Sequence, residues 1–294
     1  MPANTGRVAV IVLGMHRSGT SAVAGAAIRL GLAPPKTPIA LTDDNPTGSH
    51  ESLPLDNLNH LLLNAAARGW YDCLSFSPDM LNDAARAAGF DYCTDVLRQE
   101  FADEPAFVVK DPMLCLTLPL WLPALRAVGA TVSVLLVVRH PEEVARSLFW
   151  RDLLPESDSA VVWLHHMLEA ERMTRRIPRA VVLYTDLLHD WRGCLARAGE
   201  IANIAWPTPP HRLPPGSDGV VIPSLRHHIA AANSVTVGPP AMRDLLDEAW
   251  LALRQLRDDP ALPIVQARLD NVRARFAMQR HSLPPSMMGQ RRTG

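Results

Sequence analysis

Residues Gly14-Met-His16-Arg17-Ser18-Gly19-Thr20-Ser21 are the first stretch of the chain equipped for chemistry. Two glycines bracket one guanidinium, and three hydroxyls accompany it. A Gly-bounded loop leading from a strand into a helix gathers backbone N–H groups. The positive end of the helix dipole reinforces them, so such a loop cradles an anion, above all a phosphate. A second cation-bearing element is Arg139-His-Pro141-Glu-Glu-Val144-Ala-Arg-Ser147. The planar fork of Arg139 suits two-point contact with a phosphate. Pro141 suits a first helical turn, and Ser147 shares a helical stripe with Val144 and Arg151. The alternative for Arg139 is a surface ion pair with Glu142 or Glu143.

These residues need a scaffold, and the apolar pattern supplies one. Val8–Leu13 reads as a buried strand, followed by a helix over Ala22–Leu30 that Gly31 ends. Phe107–Lys110 is a short strand closed by Asp111-Pro112, Thr131–Val138 a central strand, and Ala180–Tyr184 a fourth. Their alternation with helical patterns predicts an α/β fold with a P-loop-like central parallel β-sheet flanked by helices in three layers. Ligands in that architecture bind beyond the carboxyl ends of the strands. Gly14 to Ser21, Lys110, Arg139 and Tyr184 all end or follow a strand. The segment 40–105 reads as mostly helical after an Asn45-Pro-Thr-Gly48 turn. An amphipathic helix over 157–177 carries Trp163, Met167, Ala170 and Ile177. A Pro-rich loop over 207–223 and a helix near 240–257 follow. One domain over 1–294, with a flexible tail from 280, is the expected organisation.

Bulk properties narrow the function. The 294 residues are 48% hydrophobic and 20% charged, a globular composition. A formal net charge of −1 leaves no global field for nucleic acid or an anionic membrane. No stripe of interleaved aromatic and basic residues points to nucleic acid either. The start of the chain shows no cationic leader, and its first apolar run is too short to span a bilayer, which predicts a cytoplasmic protein without a transmembrane segment. Cys73, Cys93, Cys115 and Cys194 lie far apart, as reduced buried thiols would. His165-His166 and His227-His228 lack a spaced third ligand, so no metal is expected. Trp150, Trp163 and Trp191 are expected in packing roles.

The spacing from Gly14 to Gly19 equals that of a nucleotide-binding P-loop, yet Thr20 stands where such a loop has Lys. Two anion elements in one chain suit a nucleotide with phosphate on both sides of its ribose. Residues 14–21 resemble the 5′-phosphosulfate loop of the sulfotransferases that use 3′-phosphoadenosine 5′-phosphosulfate (PAPS). Residues 139–147 resemble their 3′-phosphate element, an Arg with a Ser eight positions on. Val182-Leu-Tyr184-Thr-Asp-Leu resembles the strand whose Tyr contacts the nucleoside. Lys110 sits where the family often keeps a Lys near the bridging oxygen. The likeness is strongest to a bacterial branch with Gly-Met-His-Arg-Ser-Gly-Thr-Ser, an Asn-Pro-x-Gly-x-x-Glu turn (here ending at Glu51) and Lys-Asp-Pro. Met113 replaces the Arg that commonly follows. The resemblance implies PAPS as cofactor, 3′,5′-ADP as product, and a carbohydrate, lipid-linked or natural-product hydroxyl as acceptor. It implies cofactor contacts from His16, Arg17, Ser18, Gly19, Thr20, Ser21, Arg139, Ser147 and Tyr184. Arg226, in a late basic segment Ser224-Leu-Arg-His-His228, joins them as a further contact to the 3′-phosphate.

In-line sulfuryl transfer needs a base for the acceptor hydroxyl and cations for the bridging oxygen. Arg17 and Lys110 are the cations. Glu51 is the first choice of base, by resemblance to the Glu of glycan-modifying members, and its neighbour His50 the second. The alternative for Glu51 is helix capping beside Ser49 or Ser52. Asp111 either orients Lys110 or caps the turn before Pro112. The segments 52–105 and 207–235, with Leu62, Trp70, Tyr71, Phe76 and Met80, are expected to form the acceptor pocket. Two other readings stand beside this one. One is a P-loop kinase or nucleotide hydrolase, with Asp111 its sole candidate for holding Mg²⁺. The other is a binding module that keeps the nucleotide and lacks the chemistry.

Overall fold

A computed structural model describes residues 6–41, 47–214, 219, 221–222, 226, 228–230, 234–284 and 287–288. Asn45-Pro46 of the expected turn, Ser224, Leu225, His227 and Arg291-Arg292 lie outside the described residues. Four strands form one sheet: β1 (Arg7–Leu13), β2 (Ala106–Lys110), β3 (Ala130–Val138) and β4 (Arg179–Leu183). Every pairing is parallel and the order is β2-β1-β3-β4.

The strands are apolar on both sides because both sides are covered. Along β1, Ala9, Ile11 and Leu13 belong to one buried cluster and Val10 and Val12 to the other, the period of two that a pleated strand imposes. The smaller layer holds α1 (Thr20–Arg29), α7 (Tyr184–His189) and α8 (Trp191–Ile201). The larger holds α2 (Leu53–Ala65), α3 (Asp83–Phe101), α4 (Leu114–Ala127), α5 (Pro141–Asp152), α6 (Glu156–Thr174), α9 (Arg243–Gln255) and α10 (Pro263–Gln279). The result is the expected three-layer α/β/α arrangement.

After β1 the chain crosses to the edge strand β2 and then back past β1 to β3. The connections therefore diverge between the carboxyl ends of β1 and β3, where a doubly wound sheet opens a crevice for a ligand. The loops that leave these two strands are residues 14–19 and 139–140.

Local differences from the sequence reading have physical causes. Helix α1 starts at Thr20, two residues before Ala22, because Gly19 takes the left-handed N-cap position at φ 92°. Tyr184 opens α7 and does not end β4. Residues 66–82 are not part of the expected helical run: Ala67 turns left-handed at φ 53°, and Asp72 accepts a hydrogen bond from the Gly69 backbone at 2.6 Å. Helix α10 was not expected, although Val265, Leu269, Val272 and Phe276 recur at helical spacing and are buried. Trp163 and Trp191 pack as expected, but Trp150 is 76% exposed. Leu62 and Phe76, expected in the acceptor pocket, are core residues. The four cysteines are free and buried, and burial pushes the Cys194 thiol up to about 11 and those of Cys93 and Cys115 to about 12. No helix among the described residues is long and apolar enough to cross a membrane.

Candidate functional site

The loop after β1 is held in an unfavourable shape. Arg17 adopts φ 66°, a left-handed conformation that costs a residue with a Cβ about 1–2 kcal/mol. Three hydrogen bonds impose it. The Ser18 amide donates to the Met15 carbonyl at 3.0 Å. Arg139 Nη1 donates to the Arg17 carbonyl at 3.0 Å, and Arg17 Nε donates to Ser147 Oγ at 2.8 Å. Gly19 is required twice over. Its φ is left-handed, and a Cβ there would lie 2.3 Å from Cδ2 of Tyr184. Tyr184 is thus the floor of the loop. No side chain caps the N-terminus of α1, and its first turn carries no acidic residue. Gly19, Thr20, Ser21 and Ala22 line the cleft from that helix end. Uncapped N–H groups, hydroxyls and the dipole together make an anion cradle. Ser18, in contrast, is fully buried beneath the loop, and its Oγ has no hydrogen-bond partner.

Arg139 leaves the end of β3 and binds the two loops into one site. Its guanidinium lies 4.5 Å from the centre of the Tyr184 ring, a cation–π contact. The alternative foreseen for Arg139 is also realised: Nε donates to Glu143 Oε2 at 2.9 Å. This pair is not on the surface, since the side chains are 8% and 2% exposed. Glu143 also takes Arg226, with Nη2 at 2.5 Å from Oε1, and the Ala230 amide at 3.1 Å. Burial alone would raise the Glu143 carboxyl, but hydrogen bonds from Arg226 and Arg139 hold it below the usual carboxylate range.

Lys110 ends β2 and is 3% exposed. Its ammonium donates to Ser21 Oγ at 3.3 Å and to Glu51 Oε1. Glu51 reaches it from a strap, because the backbones of Thr37 and Ile39 exchange hydrogen bonds with Leu53 and Glu51. Ser52 is the N-cap of α2 and accepts from the Leu55 amide at 3.3 Å. Glu51 therefore stands before the helix and does not cap it. Its neighbour His50, at φ 57°, does not line the cleft. Burial pushes the His50 imidazole down, and Lys110 adds to the shift while Glu51 opposes it. Asp111 caps the turn: Oδ1 accepts from the Met113 amide at 2.7 Å. Burial raises its carboxyl well above the usual range, with Glu51 and Asp56 adding to the effect. His16 packs its ring 4.6 Å from that of Trp70, and burial drives its imidazole well below the ordinary value.

These groups meet in a cleft of ≈ 330 Å³ at the β1/β3 switch point. His16, Arg17, Gly19, Thr20, Ser21, Glu51, Lys110, Arg139, Ser147 and Tyr184 all line it. Ser18, His50 and Arg226 do not, and Arg226 lines a smaller neighbouring cavity. Among the lining residues that the sequence did not single out as ligands, Arg151 and Thr47 are polar, as are Ser49 and His228. Arg151 lies one turn beyond Ser147 on α5, a spacing that signals it, and Thr47 sits in the strap region. His165 and His166 are far from this role: they are buried in α6, and burial pushes them down to about 4 and about 3.

No family model and no curated protein matches the chain. Solved structures do. The chain is similar to two sulfotransferase domains. One comes from the olefin synthase of Synechococcus PCC 7002, at 18% identity over 93% of this chain and 97% of that domain, with a TM-score of 0.42. The other comes from the curacin biosynthetic pathway, at 13% identity over 92% of this chain and 98% of that domain, with a TM-score of 0.40. Likeness at this level settles nothing about the chemistry, which has to be read from the cleft itself.

Proposed function

We propose that this chain is a PAPS-dependent sulfotransferase acting on a hydroxyl of a carbohydrate, lipid or natural-product acceptor. The observation that supports it is the union of two anion elements in one cleft. The Arg17–Ser147 bond and the Arg139 bond to the Arg17 carbonyl join the loop after β1 to the element after β3. Guanidinium, ammonium, hydroxyl and helix N–H donors there fit a nucleotide with two separate phosphate groups. An ATP-dependent reading is disfavoured by two residues. Thr20 occupies the position of the P-loop Lys, and Asp111 is fully buried and does not line the cleft.

PAPS, when bound, supplies the sulfuryl group and leaves as 3′,5′-ADP. The α1 N-terminus with Thr20 and Ser21 holds its 5′ side. Arg17 and Lys110 meet the negative charge that grows on the bridging oxygen. Glu51 accepts the proton of the acceptor hydroxyl as the new oxygen–sulfur bond forms and the sulfur–bridge bond breaks. The electron pair of the broken bond stays on 3′,5′-ADP. Lys110 touches both halves of this machinery, Ser21 on the donor loop and Glu51 on the strap.

Incubation with labelled PAPS and a panel of hydroxyl acceptors is expected to release 3′,5′-ADP. Glu51→Gln is expected to lower that release about 100-fold while affinity for 3′,5′-ADP stays within about threefold. Normal turnover by Glu51→Gln, with its loss in His50→Ala, would move the base to His50. Tight 3′,5′-ADP binding without release on any acceptor would make the chain a binding module.

A further inference from the structure

Glu100 carries a buried carboxyl group that the mechanism does not use. It stands one residue before the end of α3 and is fully buried. Three things disfavour an acidic side chain there. Burial takes its carboxyl out of water. The negative end of the helix dipole lies beside it. Its Oε1 has no hydrogen-bond partner among the described residues. Against these stands one contact: Oε2 accepts from the backbone amide of Thr37 at 3.0 Å. Thr37 is itself exposed, so a group in the core is bonded to a segment on the surface.

That segment is the outer half of the strap that presents Glu51. It leaves the sheet at Ala33, whose amide donates to the Ala106 carbonyl at 2.9 Å and whose carbonyl accepts from the Val108 amide at 3.1 Å. Thr37 follows and is bonded on both sides. Its amide donates to Glu100, and its carbonyl accepts from the Leu53 amide at 2.9 Å. Two residues on, the Ile39 amide donates to the Glu51 carbonyl at 2.9 Å. The end of α3 is fixed in turn, since Phe101 stacks on Phe107 of β2 with ring centres 4.4 Å apart. Strand β2 also carries Lys110. Both members of the Lys110–Glu51 pair are therefore referred to one strand, Lys110 directly and Glu51 through α3, Glu100 and Thr37.

We propose that Glu100 is a positioning residue, which through the Thr37 amide sets the strap and so the place of Glu51 beside Lys110. This rests on the reading of Glu51 as the base and adds to it a residue outside the cleft. Glu100 does not line the cleft, so its effect on turnover passes through Glu51.

The test is the rate of 3′,5′-ADP release from labelled PAPS, with the panel acceptor that turns over fastest, beside calorimetric titration with 3′,5′-ADP. Glu100→Met keeps the bulk and removes the accepting oxygens. It is expected to lower kcat about tenfold, part of the about 100-fold cost of a misplacement of about 1 Å. Affinity for 3′,5′-ADP is expected to stay within about twofold. Glu100→Gln keeps an oxygen for the Thr37 amide and is expected to retain turnover within about twofold of wild type. In the Glu51→Gln background, Glu100→Met is expected to cost nothing further, because the two act as one unit. Thr37→Pro deletes the same bond from the exposed side, leaves the core intact and is expected to repeat the loss. Thermal denaturation checks that each variant folds, and Thr37→Pro decides the matter if Glu100→Met does not. The proposal is overturned if these two variants turn over at the wild-type rate, or if Glu100→Gln loses as much as Glu100→Met. An equal loss in the Glu51→Gln background also overturns it. Normal turnover by Glu51→Gln alone overturns the base assignment, and the positioning role with it. A wild type that releases no 3′,5′-ADP on any acceptor overturns the transferase reading itself, and this role with it.

Discussion

Lys110→Met is expected to lower sulfuryl transfer by about 10²–10³-fold, the cost of removing one preorganised electrostatic donor from a transition state. The affinity for 3′,5′-ADP is expected to fall by less than about tenfold, because in the proposed function the α1 N-terminus and Arg139 still hold the phosphates. The split follows from position. Lys110 is buried at the end of β2, and its hydrogen bond toward the donor loop goes to Ser21, in the first turn of α1. Its other contact is Glu51, the proposed base. Methionine keeps the aliphatic stem, so packing of the strand end is preserved. Steady-state rates and calorimetry on the same preparation measure both quantities. A rate within tenfold of wild type would remove Lys110 from the chemistry. Equal losses in rate and affinity would make it a simple phosphate ligand.

Arg139→Ala is expected to damage fold and binding together. It deletes a buried ion pair with Glu143, a bond to the Arg17 carbonyl, one to the His228 carbonyl at 3.4 Å, and the platform on Tyr184. Breaking a buried pair costs about 3–5 kcal/mol. Glu143 keeps Arg226 and the Ala230 amide, so the lower end, about 3 kcal/mol, is expected. The melting temperature then drops by about 5 °C for a chain of this size. Losing the clamp on the left-handed Arg17 also lets the loop relax, and 3′,5′-ADP affinity is expected to fall about 100-fold. Arg139→Lys restores little, since an ammonium cannot reproduce the forked contacts. The double variant Arg139→Ala/Glu143→Ala is expected to be less stable than Arg139→Ala, because it also takes the carboxylate from Arg226 and from the Ala230 amide. Denaturation curves and titrations of the three variants separate these effects. A double variant as stable as Arg139→Ala would show that Glu143 contributes nothing once Arg139 is gone.

The layered sheet was legible because parallel strands covered on both faces must be apolar throughout, and Val8–Leu13 and Thr131–Val138 are. The glycine-bounded turn after β1 was legible because glycine spacing is a backbone constraint written in residue types. The reason for Gly19 was only half visible: its turn is in the sequence, but the Tyr184 ring beneath it arrives from 165 residues away in the chain. Helical spacing offered Arg139 either Glu142 or Glu143 as a surface partner; the structure selects Glu143 and buries the pair, with Arg226 and the Ala230 amide also bonded to that carboxylate. Arg151 sits on an ordinary amphipathic helix, where one more arginine looks like a solvated face. The strap that presents Glu51 is a two-residue bridge between Pro38 and Ser52, too short to leave a periodic trace.

The proposed function makes the β1/β3 cleft a site for a nucleotide with two separate phosphates. Calorimetric competition between 3′,5′-ADP and ATP with Mg²⁺ on the wild-type chain tests it most directly. Tighter binding of 3′,5′-ADP, with ATP–Mg²⁺ unable to displace it at equal concentration, is the predicted result. Preference for ATP–Mg²⁺ would contradict the claim and return the loop to the nucleoside-triphosphate enzymes whose spacing it shares.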